Sequence, residues 1–181
     1  MRGPSLTNAA VAAITPPERQ EKFAFVQFPD SPIELRQGSL LIAGGEARAP
    51  SVDVYNRTDR PVKYVELGWV VTDPSGRSYS AGSLPSTSPS FSLPARGSGK
   101  VRQESTLEFS ANGRPLSISK VTGFVSQVEF ADGEVWVPTR QNMDNNPLLM
   151  QVLEPSVEEE RLANLYSTRG IAALVDELKK Y

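Results

Sequence analysis

The chain has 181 residues, 39% of them hydrophobic and 22% charged, and a net charge of −2. That balance suits one globular domain with appendages, and its scattered Lys and Arg offer no basic surface to a nucleic acid. There is no Cys and no His, which excludes disulfides, thiolate nucleophiles, Ser-His-Asp triads, HExxH zinc sites and imidazole bases.

Fifteen Pro and thirteen Gly point to a β-rich fold with many turns. No apolar run reaches the roughly 18 residues a membrane helix needs, so no membrane insertion is expected. The first 14 residues hold an Ala-rich patch that Pro4, Thr7 and Asn8 interrupt. The patch is too broken for a signal peptide, so residues 1–20 are read as an N-terminal extension. Within it, Ser5 is placed to cap a short helix over 5–13 that Pro16-Pro17 stops.

Residues 23–28 are dense in aromatic and β-branched side chains and predict the first strand. Pro29 to Pro32 breaks it. Extended chain resumes at Ile33 and Leu35, then after Gly38 over 40–43, and Gly44-Gly45 turns it. Residues 47–55 lead into a long hairpin over 52–74. In that hairpin Val52 and Val54 alternate with polar neighbours, residues 56–61 supply turn formers, and Val65, Leu67, Trp69 and Val71 line one face. Such a hairpin needs a second sheet on its apolar side, and so predicts a sandwich.

Asp73-Pro74-Ser75-Gly76 reads as a turn and 77–83 as a short strand. Residues 84–99 are rich in Ser, Pro and Gly, but Phe91 and Leu93 interrupt them, which predicts an ordered crossing between sheets. Residues 101–109 alternate again and 112–115 turn. A second hairpin over 117–137 closes at Asp132-Gly133, with Val135 and Val137 on one face and Trp136 on the other.

After Pro138 the period changes. Residues 142–146 read as a polar loop, and 148–153 as an apolar run of undetermined type. From Ser156 the pattern is helical, with Ser156 as cap and Glu158 to Glu160 in the first turn. Leu162, Leu165 and Tyr166 share a face, and Gly170 ends or kinks the helix. Ile171, Leu174, Val175 and Leu178 then recur at i, i+3, i+4 and i+7. This amphipathic pair is too small to stand alone and must bury its stripe on the sandwich or on a partner.

The run VDVYN, RTDR, PV, KYVELGWVV, DPSG (52–76 without Thr72) and the later LPARGSG (93–99) resemble bacterial immunoglobulin-like modules of the FxLYD type. Those have a strand ending in Asn, a short turn, Pro-Val, and a strand ending near Asp-x-x-Gly. The resemblance implies an accessory domain outside the bacterial cytoplasm, periplasmic or secreted, and such domains bring no catalytic residues to carry over.

Ser117 and Lys120 match the S-x-x-K spacing of penicillin-recognising enzymes, which requires a helix; strand alternation here puts them on opposite faces. Asp53, Asp59, Asp73, Asp132 and Asp144 show no calcium-loop spacing, and turn chemistry accounts for Asp59, Asp73 and Asp132. Trp69 reads as a core pin. Trp136 is either an exposed binding aromatic or lies beneath the C-terminal helices. Asn56-Arg57-Thr58 is a glycosylation sequon that turn chemistry also explains.

The expectation is an immunoglobulin-like antiparallel β-sandwich over 21–140, with a linker and amphipathic helices over 141–181. Its function is that of a non-catalytic module binding a protein partner, without catalytic, cofactor or metal residues; self-association stays open. The interaction surface is sought at Trp136, Ile171, Leu174, Val175 and Leu178. A carbohydrate-binding domain is the alternative, and a hydrolase working with carboxylates alone comes third.

Overall fold

The structure, a computed structural model, describes residues 19–85, 91–102, 106–111, 114–153 and 156–180. The N-terminal helix expected over 5–13 lies outside them.

Two sheets face each other. The first runs in the order β1 (Arg19–Lys22), β3 (Ile33–Ala43), β4 (Glu46–Asn56) and β7 (Ser98–Arg102), with β8 (Leu107–Glu108) also on β4. The second runs β12 (Val135–Trp136), β11 (Lys120–Phe130), β5 (Val62–Thr72) and β6 (Ser78–Pro85), with β2 (Ala24–Phe25) parallel to β11. A two-stranded piece pairs β9 (Ser110–Ala111) with β10 (Arg114–Pro115). The protein is therefore mainly β, a sandwich with a C-terminal helical extension.

The long hairpin of the sequence is β4 and β5, but its arms do not pair with each other. They belong to opposite sheets, so the turn between them joins the two layers. The face read from alternation is the buried one: Val52, Val54, Val65, Leu67, Trp69 and Val71 all enter the main core. The Ser- and Pro-rich stretch crosses back from β6 to β7. Where it is described, Leu93 is fully buried and bridges to Val62.

Residues 23–28 are not one strand. β1 pairs with β3, the chain leaves that sheet at Phe23, and β2 pairs with β11 in the other. The phenyl ring explains the switch: Phe23 sits between the layers, stacked on Trp69 with centroids 4.7 Å apart. Gly38 makes room for it within an unbroken β3, since a Cβ there would stand 2.2 Å from Phe23 Cδ2. Beyond the switch, the Gln27 side chain takes the place of a strand. Its amide nitrogen donates to the Leu35 carbonyl and its oxygen accepts from Leu35 N, at the bulge in β3.

The outer face of the second sheet is covered as well. Of residues 142–146, read as a polar loop, the first three belong to α1 (Arg140–Asp144) and the last two join it to α2 (Pro147–Val152), which the apolar run of undetermined type forms. Thr139 caps α1; the Asn146 side chain caps α2 by accepting from Leu148 N and Leu149 N, with Pro147 in the first turn. Fully buried Leu149 then completes a second core with Phe28, Val70 and Phe124. Helices this short carry no readable period, which is why α1 reads as loop.

Candidate interaction surface

The last element, α3 (Val157–Leu178), is long yet buries no residue fully. Its start follows the sequence: Ser156 Oγ accepts from Glu159 N at 3.1 Å, and three glutamates fill the first turn. At Gly170 the backbone takes φ 76° and ψ −177°, a region essentially reserved for glycine, and the helix breaks.

The position of that break has a physical reason. At 3.6 residues per turn, a straight helix would put the stripe of Leu162, Leu165 and Tyr166 about half a turn away from that of Ile171, Leu174, Val175 and Leu178. The two stripes would point in opposite directions. Reversal at Gly170 lets them meet instead. Arg161 and Glu177 are 16 residues apart and would be separated by about 24 Å along an unbroken helix. Their side chains are 2.9 Å apart, so the two halves run antiparallel as a hairpin.

A polar clasp holds its base. Arg161 also meets Glu158 at 2.6 Å, and Lys180 meets Glu177 at 2.7 Å. Hydrogen bonding to Arg161 lowers the pKa of Glu158, while Lys180 first and Arg161 second lower that of Glu177. The same bonds raise the guanidinium of Arg161. Between the halves runs a shallow groove of about 550 Å³, lined by Leu162, Tyr166, Leu174 and Leu178 with Glu158 and Glu159 at its rim.

Of the residues singled out in sequence, Leu174 is half-buried in this groove, whereas Ile171 (62% exposed), Val175 (42%) and Leu178 (51%) remain open to solvent. Tyr166, 54% exposed, belongs to the same surface and was not among them. The half-turn offset between the stripes was the signal for it. Trp136 lies elsewhere: it is half-buried at 6.2 Å from Phe28, in the second core beneath α1 and α2, while Val135 and Val137 are exposed. α3 packs on none of the strands, nor on α1 or α2, over any extensive contact.

The other candidates resolve into architecture. Asn56 is fully buried; its amide nitrogen donates to the carbonyls of Arg60 (2.7 Å) and Pro94 (3.0 Å), and its oxygen accepts from Thr58 N (3.0 Å) and Thr58 Oγ1 (2.7 Å). The sequon is thus a pin that ties the β4–β5 turn to the loop before β7. Around it, Arg96 pairs with Asp59, and Arg60 pairs with Asp132 and Glu134 while lying 4.0 Å over the Phe130 ring. The Arg96 partner lowers the pKa of Asp59, and Arg60 lowers that of Asp132. Serine and backbone donors within its own turn lower that of Asp73. These carboxyls favour the charged form, the opposite of what a general acid requires. Trp69 is buried in the core, and no cluster of three metal-ligating side chains occurs among the described residues.

No protein-family model matches the chain, and neither does any curated protein. One solved structure, "X-ray structure of Northeast Structural Genomics Consortium target SoR45", is similar over 66% of this chain and 78% of its own, at 12% identity and a TM-score of 0.33.

Proposed function

We propose that the protein is a non-catalytic binding or scaffolding module, an immunoglobulin-like sandwich that engages a protein partner through the α3 hairpin. One observation carries the reading. Of the eight large hydrophobic residues described as exposed, five (Val157, Tyr166, Ile171, Val175 and Leu178) lie on α3. A concentration of apolar side chains on an element that the described strands and helices leave uncovered is the usual mark of a recognition surface, and helices recognise partners through such stripes.

The immunoglobulin-like assignment is supported by strand order. With β3 taken as strand A, the sheets read A-B-E and G-F-C-C′, the arrangement of sandwiches built on Greek keys. A place outside the bacterial cytoplasm rests on the resemblance of residues 52–76 and 93–99 alone.

The test is a photo-crosslinking amino acid placed at Ile171 in the full-length protein and irradiated in the cells that make it. A discrete crosslinked product is expected there, and none from the same probe at Ser75 in the exposed β5–β6 turn. Equal yields from both positions, or no product from Ile171, would end the reading.

A further inference from the structure

We infer that the partner of the α3 hairpin is a second copy of this chain, docked antiparallel so that the two hairpins form a four-helix bundle. The inference rests on the interaction reading above and adds the identity of the partner.

Three observations carry it. First, the hairpin is incomplete as a folding unit. Its second half, the residues after Gly170, is shorter than the about 12–15 residues an isolated helix needs in water, its first half is no longer than that, and only one side of each half is covered by the other. Second, what remains open beside the groove is apolar on both halves: Tyr166 from the first, Ile171, Val175 and Leu178 from the second. Two such surfaces brought together make the closed core that a four-helix bundle requires, each hairpin supplying two helices. Third, the charges that the hairpin leaves unpaired are self-complementary. The clasp uses Glu158, Arg161, Glu177 and Lys180, and Lys179 lies 3.6 Å from Asp176. Glu159 and Glu160 at the base and Arg169 at the tip have no ion-pair partner among the described residues, so the open charge is acidic at the base and basic at the tip.

Glu159 and Arg169 are about 15 Å apart along the helix, and both flank the apolar side that carries Tyr166. In an antiparallel pair the tip of one hairpin lies at the base of the other, so Arg169 of each copy meets Glu159 of its mate. Two-fold symmetry makes that contact twice. A parallel pair would place like charges together, Glu159 on Glu159 and Arg169 on Arg169.

Sedimentation velocity of the full chain, from low micromolar to several hundred micromolar, tests the inference. A concentration-dependent dimer is expected, and Leu178→Glu should abolish it. Arg169→Glu and Glu159→Arg should each weaken the dimer about three- to tenfold through two solvent-exposed ion pairs, and the double exchange should restore it. A chain that stays monomeric throughout overturns the inference, as does a dimer indifferent to Leu178→Glu and to both charge reversals. The Ile171 crosslink separates this failure from that of the broader reading. A product of twice the chain mass supports self-association, and a product of any other mass overturns it while leaving the interaction reading intact. If no product forms, both fall.

Discussion

The end of the sandwich around Asn56 and the hairpin of α3 are both held by polar side chains at a chain reversal, yet they are built on opposite terms. At Asn56 the amide is buried, and its bonds run to backbone groups in two different loops, so the polar contacts are shielded from water and joined to the main core. In α3 the Arg161 and Glu158 side of the clasp is open to solvent while Glu177 is half-buried, and the element it closes buries no residue fully. Hydrogen bonds of the first kind are costly to leave unmade, whereas exposed ion pairs contribute little. One region fixes the fold. The other leaves its large apolar residues exposed.

The largest test of that contrast is Asn56→Ala. Removing the amide takes a hydrogen-bond partner from the carbonyls of Arg60 and Pro94 and from the N–H of Thr58 in a partly buried turn, and should cost roughly 2–4 kcal/mol in urea denaturation. Changing Ile171 and Leu178 together to Ser should move the same transition by less than about 1 kcal/mol, because both are more than half exposed and neither touches the sandwich core. Equal shifts from the two variants would erase the distinction between the regions.

The sequence made the sandwich readable wherever the period was clean. Val52 and Val54, and Val65 through Val71, fell on the buried face, and the Asp132-Gly133 turn lies where it was read. It was not readable where a long-range contact decides. The run from Phe23 to Phe28 has no period that could say where the chain changes sheets; the place is set by the Trp69 ring and the space over Gly38, remote in sequence from each other. Asn142 suggested loop because local propensity outweighs a five-residue helix whose order comes from a cap and from the covered sheet beneath it. Asn56 was visible as a turn former, but not as a pin, since Pro94 lies 38 residues away. In the candidate surface, Ile171, Val175 and Leu178 were legible from helical spacing. Tyr166 needed the phase across Gly170, and Trp136 needed the tertiary contact with Phe28.

A second, smaller effect is expected at Gly170. Alanine is strained by about 1–3 kcal/mol at φ 76° and ψ −177°, more than the exposed clasp can offset, so Gly170→Ala should straighten α3. Spin labels at Glu160 and Lys179, close together in the hairpin, should separate toward about 28 Å, the span of 19 residues of continuous helix. Helical circular dichroism should rise slightly and the urea midpoint of the sandwich should not move. A short label distance retained in the variant would mean that side-chain packing, rather than the glycine, sets the reversal.

Acid should act most gently, and in a definite order. The folded hairpin holds the carboxyls of Glu158 and Glu177 below their ordinary pKa of 4.5. Their contribution to stability is therefore present in full above that value, and is lost as the pH falls through the lowered one. The same sign applies to Asp59 and Asp132 at the sandwich end, which also lie below their ordinary 3.8. There, however, the neutral amide of Asn56 holds the turn by bonds that do not titrate. Lowering the pH below 4.5 should thus broaden the label distance in α3 before the near-ultraviolet signal of buried Trp69 changes, and added salt at neutral pH should reproduce the first effect without the second. Simultaneous loss of both signals would show that the hairpin and the sandwich unfold as one unit, and that the exposed clasp is coupled to the core after all.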